Sequence, residues 1–172
     1  MNKSLNKSTV LALACILILS AGSAFAGTAT NAMSVTATVN GNCIIAGGTL
    51  AFGAYDPVVT NATTPLANSV ALTVTCTNGW PATVTLGQGA NPAGGSTAAA
   101  PLRQMASGGN FLSYALFQDN ANTIIWGDTP GTGEAYTGTG AAGTVTVYGQ
   151  VAAGQNVPAG SYGDTVLVTI TF

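Results

Sequence analysis

The sequence predicts an all-β sandwich, and three observations carry that prediction. Short runs of β-branched residues alternate with polar residues, which is the period-2 pattern of half-buried strands. Segments rich in Gly, Asn and Pro, the residues typical of tight turns, separate these runs. Lys and Arg together number only three, and charged residues make up 5% of the chain, so good helix formers are scarce. Many short strands without a helical stretch indicate a sandwich.

The predicted strands follow one another along the chain at short intervals. The clearest is the last one, "VLVTITF", where apolar and polar residues alternate to the end of the sequence. A segment rich in Gly and Ala, 87–101, is expected to form a mobile loop. The predicted strands are 32–40, 69–76, 82–87, 111–119, 143–151 and 166–172.

The first residues, 1–26, have the composition of a secretory signal peptide. A basic start precedes an apolar run at 9–20 that is too short to span a bilayer comfortably. Ala24 and Ala26 then supply the small-x-small pattern that precedes cleavage, which predicts a cut between Ala26 and Gly27. The protein is therefore expected to be exported.

A lipoprotein signal based on Cys15 is the alternative, because "LALAC" has a superficial likeness to one. That signal would have a very short apolar region, and Ala12 would stand three residues before the cysteine. No second long apolar run follows, so we expect no membrane anchor.

Charge excludes nucleic acid as a partner. After cleavage a single basic side chain, Arg103, remains against five carboxylates, for a formal charge of −4. Binding to a phosphate backbone needs a basic patch, and one arginine cannot supply it. The five acidic residues are Asp56, Asp119, Asp128, Glu134 and Asp164.

Two cysteines remain after cleavage, Cys43 and Cys76. A metal or redox pair is disfavoured, since the sequence has no histidine and no CxxC motif. In an exported protein such a pair is typical of a structural disulfide. Closing a loop of this size would stabilise the fold by about 3–4 kcal/mol in the loop-entropy model.

Candidate catalytic and metal sites are weak. Without histidine, and without lysine after residue 7, a serine nucleophile would lack its base, so we expect no enzyme. Asp56, Asp119 and Asp128 could in principle pair or bind calcium, but each lies in a turn-like sequence where Asp commonly caps its own backbone. We therefore expect neither a metal nor a cofactor.

Two further patterns suggest sugar chemistry. "NAT" at 61–63 fits the N-glycosylation acceptor motif, which is short enough to occur by chance. A set of aromatic residues could form a carbohydrate-binding surface, although aromatics in sandwiches more often pack in the core. That set is Tyr55, Trp80, Trp126, Tyr136, Tyr148 and Tyr162.

The segment that follows the predicted cleavage site, 27–39, is itself an alternating run and forms a free arm until something pairs with it. Together with the open terminal strand it suggests β-strand addition, in which the arm of one molecule pairs with the terminal strand of the next. Such head-to-tail contacts produce open filaments unless a ring closes. Pairing of the two segments within one molecule remains the alternative.

Four blocks of the sequence resemble the spore coat protein U-like family, which includes the subunits of archaic, Csu-type chaperone–usher pili. They cover nearly the whole chain after cleavage, and the "LAFGAYDP" and "AGSYGDTVLVTITF" portions are the most specific. The blocks are "NCIIAGGTLAFGAYDP" (42–57), "VALTVTCTNG" (70–79), "LSYALFQDNANTIIWGD" (112–128) and "VYGQVAAGQNVPAGSYGDTVLVTITF" (147–172).

The resemblance implies an incomplete immunoglobulin-like sandwich over 41–172 that lacks its last strand and is completed by a donor-strand arm, 27–40, from a neighbouring subunit. It also implies the disulfide between Cys43 and Cys76. The implied donor residues are Asn31, Met33, Val35, Ala37 and Val39. The implied acceptor-groove residues are Val166, Val168, Ile170 and Phe172.

The same resemblance implies a function and its partners. The protein would be a pilin that passes through the periplasm to the cell surface and polymerises into fibres for adhesion and biofilm formation. Its partners would be further copies of itself, a periplasmic chaperone, an outer-membrane usher, related minor pilins and a tip adhesin. A secreted coat or matrix protein that needs no usher, and a carbohydrate-binding module, remain the alternatives.

Intact-mass measurement of the exported protein, with and without alkylation, tests the processing. We expect a mass that begins at or near Gly27 and no alkylation of the unreduced protein, because Cys15 leaves with the signal peptide and the other two cysteines pair. Two alkylated cysteines in the native protein would contradict this.

Overall fold

The computed structural model describes residues 26–172, so the predicted signal peptide lies outside the described residues except for Ala26. The chain divides into two compact units at Ala37. In the first unit, the described residues 26–37 form no helix or strand, and all of them are exposed. The second unit, 38–172, contains every strand described below.

The second unit confirms the all-β prediction. Its strands form two antiparallel sheets, a five-stranded sheet in the order β1-β2-β7-β5-β4 and a three-stranded sheet in the order β6-β3-β8. The bounds are β1 Cys43–Ala46, β2 Leu66–Cys76, β3 Pro81–Leu86, β4 Arg103–Ser107, β5 Asn110–Phe117, β6 Glu134–Thr137, β7 Ala142–Val151 and β8 Val168–Thr171. Two short 3-10 turns, Thr60–Ala62 and Pro130–Thr132, complete the regular structure of the described residues.

Alternation in the sequence locates the long strands. Five of the six predicted runs overlap β2, β3, β5, β7 and β8, whereas the run at 32–40 forms no strand in the described chain. Three strands were not predicted: β1 and β6 are only four residues long, and β4, "RQMAS", opens with a charged residue.

The β2–β7 pair forms the centre of the larger sheet. Its register runs without a break from Leu66↔Val151 to Thr75↔Ala142. Because side chains alternate between faces, one face carries buried apolar residues such as Leu72, Val74 and Val147. Full burial of side chains of this kind stabilises the fold by about 1.5–3 kcal/mol each.

The predicted disulfide is confirmed. Cys43 and Cys76 are bonded and lie directly opposite each other in the β1–β2 pair. Both residues are buried in the core cluster. The bond therefore fixes β1 to the larger sheet just before the chain leaves that sheet at Ala46.

The segment 87–101 is a loop, as expected, and hydrogen bonds join it to its neighbours. Ala93 N–H donates to the Leu102 carbonyl at 2.8 Å, and Asp128 N–H donates to the Ala98 carbonyl at 2.6 Å. A Cβ atom on Gly127 would lie 2.8 Å from that same Ala98 oxygen. Small residues thus permit the close backbone approach that these bonds need.

Trp126 joins the two sheets in the core. Its side chain is fully buried, and its indole Nε1–H donates to the Val84 carbonyl in β3 at 2.9 Å. Its backbone N–H donates to the Leu116 carbonyl in β5 at 2.9 Å. One residue therefore bonds to both layers of the sandwich.

Trp126→Phe should destabilise the fold by about 2–4 kcal/mol, because it removes a buried hydrogen bond and leaves a cavity. The matched control is Trp80→Phe, since Trp80 is 40% exposed. This substitution should lower the free energy of unfolding by less than about 1 kcal/mol. Urea unfolding followed by circular dichroism measures both. Equal losses for the two variants would contradict the role of Trp126.

Candidate functional site

An apolar groove lies beside the chain that leads into β8. It consists of two adjoining cavities of about 470 Å³ and about 620 Å³, which share Leu50, Phe52, Met105 and Tyr162. One wall is the segment 48–55 and the other is the segment 160–168. The floor comes from the inner face of the larger sheet, namely Val70, Leu72, Leu112, Leu116, Val147 and Val151.

The wall at 48–55 lies close to the larger sheet because two glycines allow it. A Cβ atom on Gly48 would come within 2.7 Å of the Val70 side chain. A Cβ atom on Gly149 would come within 2.8 Å of the Phe52 ring and also against Leu50. The glycines therefore make room for Leu50 and Phe52, which alternate and pack against the core.

The backbone of this wall has almost no partners. Within residues 26–172, no backbone-to-backbone hydrogen bond joins the segment 47–55 to another residue. One side-chain bond does reach it, from the Asn68 amide to the Ala51 carbonyl at 2.5 Å. Most residues of this segment are exposed, so their backbone groups are free to pair with a further strand.

The opposite wall is open only in part, because Gly163 exchanges two backbone hydrogen bonds with Ala106 in β4 and the Leu167 carbonyl accepts from the Gly87 N–H. β8 pairs with β3 on one edge, from Leu86↔Val168 to Thr83↔Thr171, and no strand of residues 26–172 lies on its other edge. Val166 and Val168 point into the groove, while Leu167 between them is 72% exposed. The sheet order leaves one edge of the strand free. The alternation of side chains turns one apolar face inward.

The four predicted acceptor-groove residues differ in position. Val166 and Val168 line the groove, and Ile170 packs against the core cluster. Phe172 is 50% exposed and is not among the lining residues, because β8 ends at Thr171. At this end of β8 the neighbouring element is β1.

Several lining residues were not predicted. Leu50 and Phe52 lie in the "LAFGAYDP" block and alternate with period 2, which was the available signal. Met105 in β4 and Tyr162 gave no such signal, since they join the groove only through tertiary packing.

A polar contact lies on the groove wall. The Tyr114 hydroxyl donates to Asp164 Oδ2 at 2.7 Å, and the Ala90 N–H donates to Asp164 Oδ1 at 2.8 Å. Burial raises the pKa of Tyr114, and its bond to Asp164 raises that pKa further, so the phenol stays protonated and donates. The contact ties the loop after β3 to the wall at Asp164.

The predicted donor residues lie in a segment without secondary structure. Residues 26–42 form no strand, and the large apolar side chains of Met33, Val35 and Val39 are each about four-fifths exposed, at 84%, 79% and 81%. Asn31 and Ala37 are exposed as well. The arm is thus an alternating apolar segment whose side chains face solvent.

The acidic candidates form no common site. Asp56 accepts from the Val58 and Val59 amides, and Asp119 accepts from Ile124 and Thr123, which lowers the pKa of both carboxyls. Both therefore cap their own turns, as predicted. Asp128 differs, since it accepts from the Thr85 hydroxyl at 3.0 Å. Residues 26–172 contain no group of three His, Cys, Asp or Glu side chains that could hold a metal ion.

The sugar-related patterns find no support in the fold. Trp126 is buried and Trp80 is partly exposed, so the aromatic set forms no single surface. Asn61 of the glycosylation motif is 3% exposed, and its amide donates to the Thr64 carbonyl at 2.9 Å, so the folded chain does not present it to solvent.

As for membrane insertion, none of the helices found in the described part of the chain has the length and apolar character needed to cross a bilayer.

Comparisons with known proteins by family, by sequence and by structure all find matches. A model of the Spore Coat Protein U domain family matches residues 29–169. The chain is 50% identical to Protein U of Myxococcus xanthus over 155 residues, which cover 86% of this chain and 87% of that protein.

The third match is structural. The fold is similar to a chain in the crystal structure of the CsuC–CsuE chaperone–tip adhesion subunit pre-assembly complex from archaic chaperone–usher Csu pili of Acinetobacter baumannii. The TM-score is 0.51 at 25% identity, and the match covers 78% of this chain but only 40% of that one. The sandwich described above is accordingly immunoglobulin-like, as expected from the sequence.

The family match includes both walls of the groove and most of the arm. It agrees with the resemblance inferred from the sequence blocks at 42–57 and 147–172. The chain belongs to the Spore Coat Protein U domain family.

Proposed function

We propose that this protein is a structural pilus subunit, and that the arm 27–40 of one subunit inserts as a strand into the groove of the next. The observation that carries the proposal is the groove itself: an apolar channel between the segment 47–55, which makes no backbone hydrogen bond to another described residue, and β8, whose second edge carries no strand of the described residues. Only an extended segment can satisfy two such walls at once.

The backbone provides the first part of the fit. The free edge of β8 and the unpaired segment 47–55 lie on opposite sides of the groove. From Tyr162 to Val168, an extended chain covers about 20 Å, since six steps of roughly 3.3 Å separate the two residues. An inserted strand of about seven residues would therefore run along this wall, which is the length from Met33 to Val39.

Side chains provide the second part. Met33, Val35 and Val39 alternate along the arm and are exposed, so their insertion would remove apolar surface from water on both partners. Each would contribute about 1.5–3 kcal/mol before the cost of ordering the arm. The intervening Ser34, Thr36 and Thr38 are polar and would face away from the groove.

Polymerisation follows from the difference between the two surfaces. An arm and a groove are unlike, so each subunit donates one and accepts another, and the chain of contacts stays open. Dissociation would require a whole ladder of backbone bonds to break together. Such fibres resist dissociation for kinetic reasons as well as by affinity.

An empty groove explains why the subunit would need assembly partners. An open strand edge beside an apolar channel invites pairing with any other chain, so a temporary occupant is required before the arm arrives. We infer a periplasmic chaperone as that occupant and an outer-membrane usher as the place of exchange, in line with the chaperone complex among the structural matches. Related minor pilins and a tip adhesin would complete a surface fibre that serves adhesion and biofilm formation.

A coat protein that assembles without an usher is the second candidate. The family description and the 50% identity to Protein U favour it. Strand insertion would operate in either case, so the groove does not distinguish them. Deletion of the usher gene distinguishes the two candidates. A pilus subunit should then form no fibres on the cell, whereas an usher-independent coat protein should still assemble.

Val35→Asp should abolish fibre growth. The new carboxylate would be buried in the groove without a partner. We expect the binding free energy of the arm to weaken by about 3 kcal/mol, which is more than about a hundredfold in affinity. Thr36→Asp is the matched control, because the side chain at residue 36 faces outward in an inserted strand. This variant should assemble nearly as well as the wild type. Electron microscopy and sedimentation measure the yield of fibres.

The same variant tests the direction of assembly. A Val35→Asp subunit keeps a normal groove, so in mixtures with wild type it should accept one arm and then stop growth, which shortens the fibres. Normal assembly of both variants would refute the arm as donor. If the wild-type protein stays a folded monomer and the amides of its arm are protected from hydrogen exchange, the arm inserts within its own molecule instead.

A further inference from the structure

Arg103 is an unusual residue for its position. It is the only Lys or Arg among residues 26–172, and it is 1% exposed at the start of β4. Its side chain reaches from the larger sheet to the end of β3 in the smaller one. Nε donates to the Gly87 carbonyl at 2.8 Å, and Nη2 donates to the carbonyls of Leu86 and Trp126 at 2.7 Å and 2.8 Å.

These bonds lie directly behind the groove. The Leu86 side chain lines the groove, and Leu86 lies opposite Val168 in the β3–β8 pair. Arg103 itself lies opposite Tyr114 in the β4–β5 pair, and Tyr114 also lines the groove. The guanidinium therefore connects the wall carried by β8 to the sheet that forms the floor.

Stability alone does not account for an arginine here. Burial lowers its pKa to about 10, so it remains charged at neutral pH and keeps the cost of desolvation. Nη1 is buried and has no hydrogen-bond partner within the described chain. Replacing a buried, incompletely satisfied charge with an apolar side chain of similar length is often neutral or stabilising.

We propose that Arg103 is a positioning residue that keeps the empty groove at the width of one strand. An unoccupied apolar groove tends to close, because approach of its walls removes apolar surface from water. Closure would pull the planar, rigid guanidinium away from its three carbonyls and leave a buried charge uncompensated. The arginine thus opposes collapse, and a methionine would permit it.

This inference rests on the proposed function, and the kinetics of arm binding test it. Full-length subunits that carry Val35→Asp, and so cannot donate their own arms, are mixed as monomers with a fluorescent synthetic peptide of residues 27–40, and the association and dissociation rates are measured. In Arg103→Met we expect association to slow by about tenfold, a barrier change of about 1.4 kcal/mol. Dissociation should be unchanged, because the filled groove no longer needs support.

Two further variants distinguish a positioning role of Arg103 from a general contribution of this residue to the fold. Arg103→Lys keeps the charge without the planar fork, so its association rate should be intermediate. Gln104→Met, the next residue on β4, faces the other side of the sheet and should leave both rates unchanged.

The outcomes are distinguishable. Association of Arg103→Met at the wild-type rate, or a matching change in association and dissociation, would overturn the positioning role. If Arg103→Met does not fold, the association rate of Arg103→Lys tests the inference in its place. An association rate of Arg103→Lys equal to that of the wild type would overturn the inference. Failure of the wild-type subunit to bind the peptide would overturn the proposed function and this inference with it.

Discussion

The structure depends on the pairing of backbone N–H and C=O groups along the groove. Two lengths of chain, 47–55 and the free edge of β8, line an apolar channel with little to bond to. Unpaired backbone groups of this kind can pair with another chain. The sandwich is therefore paired in most of its parts and open in one, and in the proposed function an arm from another subunit would complete that part.

The rest of the molecule holds this incomplete part in shape. The Cys43–Cys76 bond fixes β1 at the point where the chain leaves the larger sheet, and Trp126 bonds to both layers. Gly48 and Gly149 then let one wall lie close over the floor. Rigid elements placed around an open groove reduce the ordering cost when a strand enters, which favours binding.

Sequence patterns gave the fold class and the long strands, because alternation records which face of a strand is buried. Alternation showed one apolar face on the last strand, and the family resemblance implied that Val166 and Val168 border a groove, which both residues line. The sequence patterns missed β1 and β6, which have four residues each and pair with strands distant in sequence, and β4, which opens with a charged residue and pairs with β5 directly after it. They predicted the loop at 87–101 but not the hydrogen bonds that join it to its neighbours. Phe172 continues the alternation but lies beyond the end of β8, which periodicity cannot show.

Amide hydrogen exchange, measured by mass spectrometry on monomeric subunits and on assembled fibres, tests strand insertion most directly. Insertion predicts that three segments, 31–39, 48–54 and 164–168, exchange rapidly in the monomer and become protected together in the fibre. Protection must appear in the arm and in both walls, because one ladder joins all three. Fibres in which 31–39 exchange as fast as in the monomer would contradict it.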